Sequence, residues 1–187
     1  MKCFFAIFFI LNFQTSHCQS DNIRKDAKAI INYLKKNNQY NIGAKDTLID
    51  LNGDHYKDLL IEYYGESGTG LKNRIKVYLY DKLIKRFRPC EQLNNLANPT
   101  FNFQNKTVAG YYIAIGGGSA IKLKWNGLRL DTLEQITIEV ISEHQDESFK
   151  LNTFNYITKK KSTKILKMIK LPQEYMYMNY KPIIKRK

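Results

Sequence analysis

A chain of 187 residues, 43% of them hydrophobic and 25% charged, is long and apolar enough to bury one core. Three cysteines exclude a disulfide scaffold, and 30 Lys or Arg against 17 Asp or Glu leave a net charge of +13. A surface of that sign attracts polyanions, although a solvated lysine-rich surface has the same composition.

Met1 to Ser20 reads as an export signal. Lys2 supplies the positive start, and the apolar run Cys3 to Leu11 is too short to cross a bilayer. Small residues at Ser16 and Cys18 place cleavage before Gln19, giving a signal over 1–18 and one domain over 19–187. Lipid anchoring at Cys18 fits less well, because Thr15 and His17 stand where an apolar and a small residue are wanted. The expectation is an exported chain, periplasmic or extracellular, with no transmembrane segment once mature. Cleavage removes Cys3 and Cys18, so Cys90 has no internal disulfide partner and is expected to be a buried, inert thiol.

Asp21 to Gln39 predicts a helix. Ser20 or Asp21 can cap it, and Ile23, Ala27, Ile30, Ile31 and Leu34 recur along one face. From Lys45 onward the signals are those of strands. Thr47 to Ile49 and Leu59 to Tyr64 are apolar and β-branched, and they flank a loop rich in acids. Gly65 to Gly70 makes a turn into Arg74 to Tyr80, where Ile75, Val77 and Leu79 alternate with Lys76, Tyr78 and Tyr80. Asp81-Lys82 turns into a strand over Leu83 to Phe87, and Cys90 to Asn98 reads as irregular or a short helical turn. Thr100 to Phe103 and Lys106 to Ile115 flank Gln104-Asn105 as a hairpin. Ala120 to Trp125 and Leu128 to Leu133 flank Asn126-Gly127 as another. Ile136 to Ile141, Phe149 to Ile157 and Thr163 to Ile169 supply three more strands. The fold expected is mainly β: a single antiparallel domain, propeller-like or sandwich-like, with one N-terminal helix.

The loop Asp50-Leu-Asn-Gly-Asp-His-Tyr-Lys-Asp58 carries the clearest chemistry. Asp50, Asn52, Asp54 and Asp58 set oxygen donors at positions 1, 3, 5 and 9, and the Tyr56 carbonyl falls at position 7. Calcium takes six to eight oxygens, so these five residues are the candidate metal ligands. Gly53 lets the chain turn between donors. An EF-hand would need Gly at position 6 and Glu at position 12, where this chain has His55 and Ile61. The alternative is a plain Asn-Gly-Asp turn.

Elsewhere the sequence offers little catalysis. His55 and His144 have no Ser or Cys partner nearby in sequence, and three histidines cannot furnish a zinc site. Gly116-Gly117-Gly118-Ser119 lacks the Lys-Ser/Thr ending of a phosphate loop and leads into a strand. Those four residues are the candidate partner-binding loop, against a simple tight turn. From Lys150 to Lys187 there are eleven Lys or Arg and one acid, Glu174, so that end can hold an anionic envelope polymer. For an exported chain such polymers outrank nucleic acid, which is not expected as a partner.

The acidic loop resembles the Asp-rich loop of FG-GAP and VCBS-type modules. Together with Leu96 to Phe101, Asn105 to Val108, the glycine hairpin and Lys124-Trp125-Asn126-Gly127-Leu128, it gives the chain a resemblance to exported bacterial proteins. Characterised members are periplasmic inhibitors or immunity proteins of peptidoglycan hydrolases, similar in fold to invertebrate-type lysozyme inhibitors. The resemblance covers roughly 46–135. It implies calcium on Asp50, Asn52, Asp54 and Asp58, an inhibitory loop at Gly116–Ser119, and no enzymatic activity. One departure bears on the target: lysozymes are basic, and so is this chain, which works against association. A single loop copy also argues against a repeat propeller. The function expected is that of an exported, calcium-binding, non-enzymatic monomer that binds a partner as an inhibitor of a cell-wall hydrolase; the alternative is an envelope-binding module that holds an anionic polymer through its basic C-terminal end.

Overall fold

The computed structural model describes residues 21–66, 71–114, 116–143, 146–172 and 175. The export signal over 1–20, the turn centre at 67–70, His144 and the terminal lysines over 185–187 lie outside the described residues.

Helix α1 (21–36) buries Ile23, Ala27 and Leu34, with Ile30 and Ile31 half-buried beside them. The Asn37 side-chain amide donates to the Tyr33 carbonyl at 2.8 Å, and Asn38 enters the left-handed region at φ 55° to end the helix. The chain then forms a four-stranded antiparallel meander of β1 (Lys45–Ile49), β2 (Asp58–Glu66), β3 (Leu71–Asp81) and β4 (Arg86–Pro89). A short helix α2 (Glu91–Asn94) leads to a second meander. Its six strands are β5 (Thr100–Asn102), β6 (Thr107–Ala114), β7 (Gly117–Asn126), β8 (Arg129–Glu143), β9 (Asp146–Asn155) and β10 (Lys160–Leu166).

Three layers follow from the apolar pattern. Leu59 and Ile61 face α1, while Leu60 between them faces the second sheet. All three are about 1% exposed, because this sheet is covered on both sides. Each contributes roughly 1.5–3 kcal/mol of burial. Ile75, Val77 and Leu79 join Leu60 against Phe101, Val108, Leu123, Trp125 and Leu130. The two sheets thus form a sandwich, the second of the two arrangements expected.

Further along the six-stranded sheet the covering changes sides. Ala109, Ala120, Ile136, Ile138 and Leu151 point to the opposite face, where Leu171 and Tyr175 cover them. The Tyr175 hydroxyl donates to Glu134 at 2.7 Å. The sheet is therefore capped on one face by the first sheet and on the other by the segment after β10.

Several boundaries differ from expectation. Leu83 to Phe87 is mostly turn rather than strand: the Leu83 amide donates to the Asp81 carboxylate at 2.9 Å, and pairing resumes only at Arg86. Leu83 is consequently exposed. The strands expected over Leu128–Leu133 and Ile136–Ile141 are one strand, β8, which absorbs a register shift opposite Lys122 and Leu123. Residues 90–98 contain the short helix α2.

The glycine run belongs to a strand more than to a loop. Gly116 occupies the turn at φ +96°, whereas Gly117 to Ser119 are paired within β7, between β6 and β8. A Cβ on Gly118 would lie 2.2 Å from the Tyr112 carbonyl oxygen and 3.0 Å from the Ile113 Cα. One on Gly117 would lie 2.4 Å from the Ile138 carbonyl oxygen. Backbone rather than flexible side chain makes these contacts, so the strands would have to separate. Gly118→Ala is expected to cost roughly 1–3 kcal/mol, read as a fall in the urea midpoint with an unchanged slope.

Candidate functional site

The loop from Asp50 to Asp58 joins β1 to β2 and is folded around its own acids. Asp50 Oδ1 accepts from the Gly53 amide at 2.7 Å and the Asp54 amide at 3.2 Å, and its Oδ2 accepts from the His55 amide at 2.9 Å. Asn52 Oδ1 accepts from the Asp54 amide, and Asp54 Oδ1 from the Tyr56 amide. These short-range bonds are what Asp and Asn side chains make at turns. They hold Gly53 and His55 in the left-handed region, at φ +75° and 72°. For His55 that conformation is costly, and the His55 amide bond to Asp50 is what holds it there.

Asp58 plays a different part. It is fully buried, and its two oxygens accept from the Leu51 amide and the Tyr80 amide, each at 2.9 Å. One carboxylate therefore ties the loop to β3. Burial pushes the Asp58 carboxyl up to about 7; the two amide bonds pull it down, and the charges of Asp54 and Asp50 push it up again.

The loop also reaches the second sheet. Asn52 Nδ2 donates to the Gly127 carbonyl at 3.3 Å, and Lys106 Nζ donates to the Gly53 carbonyl at 3.3 Å. Lys106 and Gly127 sit on the β5–β6 and β7–β8 turns, so the loop clasps two hairpin tips. The Tyr56 ring stacks on Tyr80 at 5.7 Å. Sequence reading missed Tyr80, Lys106 and Gly127 because no local pattern links them to the loop; only the strand pairing brings them there.

As a donor set the loop is all oxygen: three carboxylates, one amide and the Tyr56 carbonyl, which suits calcium over softer metals. Asp50, Asn52 and Asp54 turn their oxygens onto loop amides; Asp50 Oδ1 already accepts two of them, while Asp50 Oδ2, Asn52 Oδ1 and Asp54 Oδ1 accept one each and retain lone-pair capacity. Asp58 lies behind them at position 9, where calcium loops often coordinate through water. Among the described residues, no three His, Cys, Asp or Glu side chains gather as a ready metal cluster.

The remaining candidates are dispersed. Gly116 is an exposed tip, and Ser119 is exposed on the sheet face beside Tyr112. Ser119 and Tyr112, with Arg74, Leu96, Ala97 and Ile121, border a groove of about 440 Å³, and Gly116 lies outside its lining. His55 is exposed on the loop, and Cys90 is buried. Burial raises the Cys90 thiol, which disfavours the reactive thiolate. Lys159 to Lys161 are exposed on and before β10.

Asp58→Ala would leave two buried amides without acceptors, at roughly 1–3 kcal/mol each. The expected result is a loss of several kcal/mol in denaturant unfolding, together with loss of the amide protection of Leu51 and Tyr80.

Neither a family model nor a curated protein matches the chain. Among solved structures it is similar to one described as "Structure of a Xanthomonas Type IV Secretion System related protein". The identity is 14% and the TM-score 0.44, over 62% of this chain and 56% of that one. The overlap thus takes in a little over half of that protein's length.

Proposed function

We propose that this chain is an exported, non-enzymatic binding protein whose Asp50–Asp58 loop holds calcium. The observation that carries the reading is the position of the loop: it is bonded at once to β3, to the β5–β6 turn and to the β7–β8 turn. Asp50, Asn52, Asp54 and the Tyr56 carbonyl would hold the ion, with Asp58 behind them. Calcium supplies charge neutralisation there, relieving the mutual repulsion of Asp50, Asp54 and Asp58. The rest is done by the chain's own groups, which fix the sheets relative to one another and so preset a rigid binding surface.

The partner in this reading is a cell-wall hydrolase, met by the Gly116 tip and the neighbouring Ser119. What favours that end of the sheet is its rigidity, since Gly117 and Gly118 are locked between β6 and β8. An enzyme is disfavoured by the burial of Cys90, which raises its thiol and works against the nucleophilic thiolate. A second reading, polymer binding by the basic end, has Lys159, Lys160, Lys161 and Lys164 exposed in its favour.

Thermal unfolding of the mature chain with calcium and with EGTA tests the proposal. A ligand bound only to the native state stabilises by RT ln(1 + [L]/Kd), about 2.7 kcal/mol at a hundredfold excess over Kd, or several degrees. Calcium is expected to raise the midpoint of the wild type and leave Asp50→Ala unmoved. Equal midpoints in calcium and EGTA for the wild type contradict the proposal.

A further inference from the structure

Strand pairing aligns one row of polar side chains across five strands. Tyr112 pairs with Ser119, Ser119 with Thr137, Thr137 with Asn152 and Asn152 with Thr163. Directly opposed residues share a face, so all five lie on one side of β6–β10. Thr163 Oγ1 donates to Asn152 Oδ1 at 2.9 Å, which fixes that assignment. Nearer β5 the same face is apolar, carrying Phe101, Val108 and Leu123 into the sandwich core. Beyond Ile121 it turns polar, and Ser119, Gln135, Thr137, Lys161 and Thr163 are exposed.

The surroundings of the row are organised. Tyr156 donates its hydroxyl to Gln135 at 3.1 Å and meets Phe154 edge-on at 4.7 Å. Lys161 lies over Phe154 and Lys159 over Tyr156. Glu139 accepts from Asn152 and is paired with Lys150 at 3.2 Å. Two depressions bracket the row: the groove of about 440 Å³ at Arg74 and Ser119, and one of about 360 Å³ at Thr137, Asn152, Phe154 and Lys161.

We propose that this open face binds an acidic linear polysaccharide laid across the strands. Ser, Thr, Asn, Gln and Tyr side chains both donate and accept, as sugar hydroxyls do, so a polar row can satisfy a sugar chain in either sense. At roughly 4.8 Å per strand the row spans roughly 19 Å, room for several consecutive sugars. Phe154 and Tyr156 give rings for the apolar faces of pyranoses. Charge selects an acidic chain. Glu139 is neutralised by Lys150, whereas Lys161 lies over the Phe154 ring and Arg74, at the far groove, donates to the Asn94 carbonyl, neither with a carboxylate partner among the described residues. A nucleic acid would call for more phosphate-neutralising cations than this, and a protein interface for an apolar centre that the row lacks. The site is independent of whether the Asp50–Asp58 loop holds calcium.

Calorimetric titration of the full chain with alginate oligosaccharides and with chitohexaose, at about 0.15 M salt, tests the proposal. Alginate is expected to bind and chitohexaose to bind more weakly. Thr137→Val/Asn152→Leu should weaken alginate binding by roughly tenfold or more. Lys161→Ala should weaken it too, whereas Lys124→Ala, an exposed lysine on the other face of the sheet, should not. Both lysine variants leave the core intact, so they decide the matter even if the double variant misfolds. Equal losses for Lys161→Ala and Lys124→Ala would reduce the effect to bulk basic charge and overturn the proposal. Absence of alginate binding, or binding of chitohexaose alone, would overturn it as well.

Discussion

Asp58 accepts two backbone amides from different parts of the chain at a point with no exposure to water. Leu51 belongs to the loop and Tyr80 to β3, so this carboxylate sets where the loop stands on the first sheet. From that position Asn52 and Gly53 meet the Gly127 carbonyl and the Lys106 ammonium on the second sheet. The relation between the sheets is thus tied down at the acidic loop as well as by the core beneath Leu60 and Val77. A buried carboxyl carries a desolvation cost, visible in its upward shift, and the two amide bonds are what offset it.

The six-stranded sheet is longer than the sheet that covers it. One consequence is that its two faces exchange roles along their length. At Val108 and Leu123 one face is core; further out the opposite face is core, closed by Leu171 and Tyr175, and the first becomes the polar row. Packing requires only that each stretch of sheet be covered on one side, as an antiparallel sheet allows. The stretch that no other described residues cover is the place where exposed side chains such as Ser119, Thr137 and Thr163 can serve recognition rather than packing.

Much of the fold was legible from alternation and turn residues. Ile75, Val77 and Leu79 gave β3, Asn126-Gly127 gave the β7–β8 turn, and the spacing of Ile23, Ala27, Ile30, Ile31 and Leu34 gave α1. Leu83 misled because its apolar side chain sits on a turn closed by Asp81, and local polarity outweighed its hydrophobicity. Gly117 and Gly118 resemble a flexible loop in sequence; their reason is the approach of the Ile138 and Tyr112 carbonyls, which no local pattern encodes. The acids of the loop were legible as oxygen donors, but the backbone amides they serve, above all at Tyr80, depend on tertiary contacts. The polar row was invisible for the same reason, since each strand contributes one residue.

The central claim is that the Asp58 carboxylate binds loop and sheet into one cooperative unit. Native-state hydrogen exchange of the Leu51 and Tyr80 amides tests it most directly. Both amides are expected to exchange only with the free energy of global unfolding measured in denaturant. Exchange of either amide at the rate of an exposed loop residue such as Lys57 would show that the loop opens on its own, and would contradict the account.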